Sequence, residues 1–130
     1  MKQSGKAQKQ KARRVIYRGW RVWQVLPGGP AAEARLEVCF DFVVGINDTG
    51  PSTDQAFFQK LCELENSEVK LKVYNIRTHD IREVAITPRR WDGAGLLGAV
   101  LHNEKLDRFN FGKAYAVHQL PPVHRPREQN

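Results

Sequence analysis

The chain's 130 residues suffice for one domain, or one domain with tails, and its 41% apolar content is enough to bury a core. Lys and Arg outnumber Asp and Glu by 21 to 14, but eight basic and no acidic residues fall in 1–32, so the remainder carries −1. The longest apolar run, residues 96–101, is far too short for a membrane span, and two cysteines cannot form a disulfide framework. These features exclude a membrane-spanning or disulfide-stapled protein and predict a soluble domain facing the cytosol.

Residues 1–14 contain no aromatic and no β-branched residue, and they are predicted to be a disordered basic tail. Such a tail suits an anionic membrane, a nucleic acid or simple solubility. Nucleic acid is the less favoured partner, because no aromatic side chain interleaves the charges to stack on bases. The simplest interpretation is a solvated extension. Its cations are Lys2, Lys6, Lys9, Lys11, Arg13 and Arg14.

The first half of the domain alternates strand and helix signals. Aromatic and β-branched residues predict a strand over 15–26, which Pro27-Gly28-Gly29 ends. Proline in the first turn predicts a short helix over 30–36, and an apolar run predicts a buried strand over 40–46.

The second half begins with the clearest helix. Ser52 and Gln55 form a capping-box pattern, and apolar residues then recur at helical spacing up to Leu64. Further strands are predicted over 69–74, 82–87, 97–101 and 115–120, with a loop over 91–95. The order predicts a small α+β domain, a twisted sheet or partial barrel capped by two helices.

The glycine-rich segment 93–98 matches G-x-G-x-x-G, but its context does not fit a dinucleotide site. No helix signal follows it, and no acidic residue lies about twenty positions beyond. A glycine loop entering an apolar edge strand can instead hold an anion on its amides while the strand pairs with an extended peptide. A C-terminal peptide would satisfy both features. A plain turn that needs glycine for positive φ is the structural alternative.

Catalytic signals are weak, so no enzyme, metal or cofactor is predicted. The four histidines lack the spacing of a zinc site, and no serine lies in a nucleophile motif. Cys39 and Cys62 are predicted to be buried core thiols. Asp41 and Glu63 are interpreted as isolated carboxylates, solvated or capping.

Four segments form a recognisable set in order and spacing. They are Gly19-Trp20-Arg21-Val22, Pro30-Ala31-Ala32-Glu33-Ala34-Arg35-Leu36-Glu37, Phe40-Asp41-Phe42-Val43-Val44-Gly45-Ile46-Asn47 and Trp91-Asp92-Gly93-Ala94-Gly95-Leu96-Leu97-Gly98. With these segments the chain resembles the Golgi reassembly and stacking protein (GRASP) family, in particular the first PDZ-like half of its GRASP domain. The resemblance covers roughly residues 19–101, and its most specific part is the W-x-G-x-G-L-L-G motif.

The resemblance implies a PDZ-like fold with permuted strand order, in which the carboxylate-binding loop and its strand come last. It implies a non-enzymatic module that binds C-terminal or internal peptides of golgins and cargo, self-associates as a homo-oligomer and tethers membranes at the cytoplasmic face of the Golgi. The peptide-binding residues would be Leu96, Leu97, Gly98, Ala99, Leu101, Asp54, Phe58 and Leu61. Phe58, Leu61 and Leu97 would form the pocket for a hydrophobic last residue.

Two departures from the family shape the remaining expectations. Relatives usually begin Met-Gly for N-myristoylation, whereas this chain begins Met1-Lys2, so the basic tail or a partner would supply membrane contact. The family carries two PDZ-like repeats, but only residues 115–120 resemble the second. We therefore expect a tail at 1–14, the PDZ-like domain at 15–112, and a truncated second repeat or C-terminal tail at 113–130. The alternatives are a basic-tail protein for anionic membrane or RNA with the domain as scaffold, and a regulatory piece of a membrane-associated protease.

Overall fold

Five antiparallel strands form one sheet in the order β4-β3-β2-β1-β5, which is not closed into a barrel. The computed structural model describes residues 16–50 and 52–123, with side chains of the last helix described to residue 117. The elements are β1 (Arg18–Val25), α1 (Pro30–Glu33), β2 (Asp41–Ile46), α2 (Asp54–Glu63), β3 (Val69–Asn75), β4 (Asp80–Ile86), β5 (Ala99–Lys105) and α3 (Arg108–Val123). The α+β class predicted from the sequence is confirmed, and the last strand lies at the sheet edge beside the first.

The two faces of the sheet carry separate cores. On one face, α1 and α2 cover a cluster that includes Val22, Val43, Phe57 and Leu61. On the other face, α3 packs Phe111 and Ala114 against Phe42, Val44, Tyr74, Ile81 and Leu106. Because helices cover both faces, every residue of the central strand β2 is buried.

The predicted strand over 115–120 is wrong, since these residues lie in α3, a third helix. Phe111, Ala114 and Tyr115 recur at helical spacing and face the sheet. Asp107 begins the helix, because its carboxylate accepts hydrogen bonds from the N–H groups of Phe109 and Asn110, at 3.2 and 3.3 Å. These hydrogen bonds lower the pKa of Asp107.

Smaller boundary predictions also shift. Thr53, not Ser52, caps α2, and its hydroxyl accepts from the Ala56 N–H at 3.1 Å. The first helix ends at Glu33, and β5 begins at Ala99, two residues later than predicted. The basic tail at 1–14 and the residues from 124 lie outside the described residues, and the division between 15–112 and 113–130 stays a prediction.

Asp41 is fully buried at the start of β2, so its interpretation as a solvated or capping carboxylate is wrong. Arg82 on β4 binds it with two hydrogen bonds, from Nη1 to Oδ1 at 2.9 Å and from Nη2 to Oδ2 at 2.7 Å. Asn75 Nδ2 and the Glu37 N–H add bonds of 2.9 and 2.8 Å. Burial alone would raise the pKa of Asp41, but the hydrogen bonds from Arg82, Asn75 and Glu37 outweigh it and lower the pKa.

Glu37 extends this cluster to the surface. Its carboxylate accepts from Asn75 Nδ2 at 2.9 Å and forms a short ion pair with Arg77, and both partners lower its pKa. The cluster thus joins the segment before β2 to β3, the β3–β4 turn and β4. Two basic and two acidic side chains balance its charge, which makes it a cross-link within the fold.

We expect the free energy of unfolding to fall when the pH is lowered below about 4. The folded-state pKa of Asp41 lies below its ordinary value, so the unfolded chain takes up the proton first. The stabilisation is therefore complete above the unfolded pKa and is lost as the pH falls through the folded pKa. Urea unfolding from pH 7 to pH 2.5 measures this.

The matched variant is Asp41→Asn, which keeps the side-chain shape and cannot titrate. Its stability should be lower at neutral pH and should depend less on pH in the acidic range. If the stability of the two proteins changed equally with pH, Asp41 would not be the source of the pH dependence. The change would then come from groups such as Glu37, Asp54 and Asp107, which titrate in both proteins.

Candidate peptide-binding groove

A groove of about 310 Å³ runs between α2 and the outer edge of β5. Helix α2, strand β5, strand β1 and the loop before β5 all contribute to it. The lining residues are Trp20, Asp54, Phe57, Phe58, Leu61, Cys62, Gly95, Leu96, Leu97, Ala99 and Leu101. Nine of these eleven residues are apolar. The other two are Cys62, which carries a thiol, and Asp54, which carries a carboxylate.

The floor of the groove is rigid because it belongs to the core. Phe57, Leu61 and Leu97 are each at most 5% exposed, and Trp20 stacks on Phe57 with ring centroids 4.2 Å apart. The rim is more open. Phe58 is 65% exposed, and Leu96 and Leu101 are half-buried. The groove therefore has a packed apolar base and an exposed apolar rim.

The loop that closes one end of the groove is built around the Trp91 indole. Its Nε1 donates to the Gly95 carbonyl oxygen at 2.9 Å. The ring occupies the space that side chains would need at Gly29, Gly93 and Gly98, where an added Cβ would lie 2.9, 2.2 and 2.8 Å from a ring carbon. Gly95 and Gly98 also have positive φ, at +74° and +70°. The W-x-G-x-G-L-L-G motif is thus one packing unit that fixes the shape of the loop.

The backbone of this loop is held from behind. The carbonyl oxygens of Leu96, Leu97 and Gly98 accept hydrogen bonds from the N–H groups of Arg89, Ala31 and Leu26, at 3.0, 2.7 and 2.8 Å. The N–H groups of Leu96, Leu97 and Gly98 donate to no protein group within the described part of the chain. Carbonyls fixed inward and amides left for another acceptor are the arrangement that binds a carboxylate.

Asp54 marks the other end of the groove. Its Oδ1 accepts from Trp20 Nε1 at 2.8 Å and from Asn103 Nδ2 at 3.2 Å. These two hydrogen bonds, that from Trp20 first, lower the pKa of Asp54. Since Trp20 lies on β1 and Asn103 on β5, Asp54 ties the start of α2 to the two strands beside the groove.

The sequence-predicted site residues largely come together here. Leu96, Leu97, Ala99, Leu101, Asp54, Phe58 and Leu61 all line the groove, whereas Gly98 packs behind it against Trp91. Sequence reasoning missed Trp20, Phe57, Cys62 and Gly95 as lining residues. Helical spacing could have found Phe57 and Cys62, which lie beside Phe58 and Leu61, but nothing local indicated that Trp20 reaches α2.

The two thiols are exposed, so the prediction that both are buried core residues is wrong. Cys39 lies before β2 at a positive φ of 73°, and Cys62 sits on the groove side of α2. No group of three metal-ligating side chains occurs within residues 16–50 and 52–123. No helix in that same part of the chain is long and apolar enough to cross a bilayer.

An antiparallel sheet with its last strand at the edge, a helix facing that edge and a glycine loop between them define the PDZ-like class of domain. Residues 6–110 match the family described as the GRASP55/65 PDZ-like domain. The chain belongs to that family, and the resemblance carried by its motifs is confirmed.

Two relatives give the scale of the match. The chain is 35% identical to Golgi reassembly-stacking protein 1 of Homo sapiens over 111 residues, which are 85% of this chain and 25% of the relative. It is 35% identical to the protein of the same name from Mus musculus over 83 residues, 62% of this chain and 19% of the relative. The chain therefore spans about a quarter or less of the length of these relatives.

Proposed function

We propose that the groove binds the C-terminal segment of a partner protein. The observation that carries the proposal is the apolar groove of about 310 Å³ beside β5, whose outer edge pairs with no other described strand. A peptide strand would pair with β5, and its last side chain would enter between Leu97, Phe58 and Leu61. Its carboxylate would accept hydrogen bonds from the loop amides, so the main chain would supply affinity and the pocket selectivity.

In the cell this binding serves a non-enzymatic, tethering role in Golgi organisation. The support is family membership and relatives named for Golgi reassembly and stacking. The partners are C-terminal tails of golgin-like or cargo proteins at the cytoplasmic face of Golgi membranes, and the module self-associates to link membranes. The chain works there as a peripheral protein.

We expect a peptide with a hydrophobic last residue to bind at least tenfold more tightly than its C-terminally amidated form, since amidation removes the charge and an oxygen acceptor. Fluorescence anisotropy with both peptides measures the ratio. Equal affinity would rule out carboxylate capture by the loop.

Phe58→Asp should also weaken peptide binding at least tenfold, because it places a charge at the exposed rim of the pocket. The matched control is Phe109→Asp, which changes an equally exposed phenylalanine on α3, across the sheet. Leu97→Asp is the poorer test, because Leu97 is 5% exposed and a buried charge there would unfold the domain. Normal peptide affinity in the Phe58→Asp protein would show that the peptide does not bind beside Phe58.

A further inference from the structure

The face of β5 that points away from α2 carries an exposed aromatic surface. Strand β5 turns Ala99 and the second residue after it into the groove, so Val100, His102 and Glu104 lie on the opposite face. Together with Trp23 of β1, these three residues form what we call the back surface. Trp23 is 47% exposed, Val100 is 39% exposed, and His102 is exposed as well. The back surface therefore offers apolar and aromatic groups to a partner directly beside the groove.

The indole of Trp23 is held in place over β5. It stacks on the His102 ring, with centroids 4.8 Å apart and an angle of 28° between the planes. Its Nε1 donates to Glu104 Oε2 at 2.7 Å, and Arg21 Nη1 donates to Oε1 of the same carboxylate at 3.3 Å. The register of β1 against β5 shifts at Trp23, which makes it the extra residue of a β-bulge, a feature that re-aims a side chain. The stack of Trp23 on His102 is therefore preorganised.

The back surface stays open beside the core under α3. That helix packs on the same face of the sheet, but its cluster contains none of the four back-surface residues. The Arg21 guanidinium lies 5.3 Å from the centroid of the Phe42 ring in that cluster, and so marks the border between the two. Since Trp23 lies on the β1 side of β5, the other ring face of His102 turns toward the outer edge of β5. That edge pairs with no other described strand.

A peptide strand on this edge presents side chains to both faces of the sheet, and this step rests on the proposed function. The glycine loop precedes Ala99, so a peptide whose carboxylate is held by the loop runs antiparallel to β5 with its last residue opposite Ala99. Alternation then directs the last residue into the groove and the third residue before the last onto the back surface. That third residue lies opposite His102, with the two Cβ atoms about 4.5–5.5 Å apart.

We propose that the back surface selects an aromatic side chain at the third residue before the last of the bound peptide. The ring of that residue stacks on the open face of His102, so that three rings lie in a row across β1, β5 and the peptide. Aromatic pairs are stabilised beyond the area that they bury, and Trp23 already fixes the orientation of the His102 ring. The partner of the groove is thus a C-terminal tail that combines a hydrophobic last residue with an aromatic residue three positions earlier.

A pair of synthetic peptides tests this selectivity by fluorescence anisotropy with the full chain. Both end in valine, and they differ only in phenylalanine or alanine at the third residue before the last. The phenylalanine peptide should bind about threefold or more tightly, the range expected for one aromatic pair. Equal affinities would overturn the inference. So would tighter binding of a peptide with glutamate at that position, because His102 would then act as a hydrogen-bonding group and not as a stacking surface.

Variants of the chain assign the preference to the back surface. His102→Ala should bring the two peptides to equal affinity, whereas His102→Phe should keep the preference because a ring remains. The matched control is Phe109→Ala, which removes an exposed aromatic ring from α3 and should keep the preference as well. A His102→Ala protein that still prefers the phenylalanine peptide would show that the ring binds elsewhere.

The alanine peptide and its C-terminally amidated form, measured on the same proteins, separate this inference from the proposed function. If the free carboxylate still strengthens binding but phenylalanine adds nothing, only the selectivity of the back surface is wrong. If amidation has no effect, the proposed carboxylate capture fails, and the register that places the aromatic residue opposite His102 fails with it.

Discussion

Replacing Arg82 by methionine is expected to lower the free energy of unfolding by about 2–3 kcal/mol, less than the cost of breaking a fully buried pair, because Asp41 is buried but the Arg82 side chain is 42% exposed. Asp41 would remain fully buried, and its two strongest hydrogen bonds would be lost. Asn75 and the Glu37 N–H would still donate, but neither supplies a positive charge. Urea unfolding at neutral pH measures the loss.

Lys72→Met is the matched control, because it also replaces a cation on the sheet by methionine. The Lys72 ammonium lies 3.8 Å from the Glu83 carboxylate in an exposed pair, and its loss should cost less than about 1 kcal/mol. In the Arg82→Met protein, the pKa of Asp41 should be higher than in the wild type, because the hydrogen bonds and charge of Arg82 that lower it are lost. The stability gap to the wild type should therefore narrow as the pH falls. Equal losses of stability in Arg82→Met and Lys72→Met would show that the Arg82–Asp41 pair does not hold the strands together.

The Asp41 cluster also shows what the sequence can and cannot reveal. The sequence alone led us to interpret Asp41 as a solvated or capping carboxylate, although it stands directly before the apolar run Phe42-Val43-Val44. A carboxylate that is buried, as Asp41 is, needs a charged or hydrogen-bonding partner. The partner could not be predicted, because Arg82 is 41 residues away and Asn75 is 34 residues away. Only the pairing of β2 with β3 and of β3 with β4 brings them together.

The misassigned segment at 115–120 has a different cause. It is a short, mostly apolar stretch with an aromatic residue, Tyr115, and a β-branched residue, Val117, and these residue types favour a strand when the stretch is read alone. The helical spacing becomes clear only when Phe111 and Ala114 are included, and these lie before the segment. A helix that packs against a sheet built from distant strands gains its stability from that packing, which local propensity does not report.

More of the groove lining could be predicted from the sequence than the partners of Asp41 or the helix at 115–120, because the motifs that build the groove are local. The loop and β5 are contiguous in sequence, and α2 has clear helical spacing, so seven of the eight predicted residues fall on one surface. Gly98 does not line the groove but makes room for Trp91 behind it, and its predicted contact with a peptide stays a prediction. The motif indicated a close approach at this glycine, but not which side chain makes it.

Gly98→Ala should lower the free energy of unfolding by about 3 kcal/mol, because two costs coincide there. A residue with a Cβ pays about 1–2 kcal/mol at a left-handed φ, and overpacking adds about 1–3 kcal/mol. The φ of Gly98 is +70°, and the added Cβ would lie 2.8 Å from a Trp91 ring carbon. The ring is held by its hydrogen bond to Gly95, so relief of the clash should displace the loop and weaken peptide binding as well.

Two neighbouring glycines separate these costs. Gly95 has a φ of +74° with open space around it, so Gly95→Ala should cost only the backbone strain, about 1–2 kcal/mol. Gly93 has no positive φ, but its added Cβ would lie 2.2 Å from the ring, so Gly93→Ala reports the clash alone. In a Trp91→Ala background, Gly98→Ala should cost little more than Gly95→Ala, because the ring is gone and only the backbone strain and a 3.2 Å approach to the Gly29 Cα remain. A full loss at Gly98 in that background would mean that something other than the indole demands glycine there.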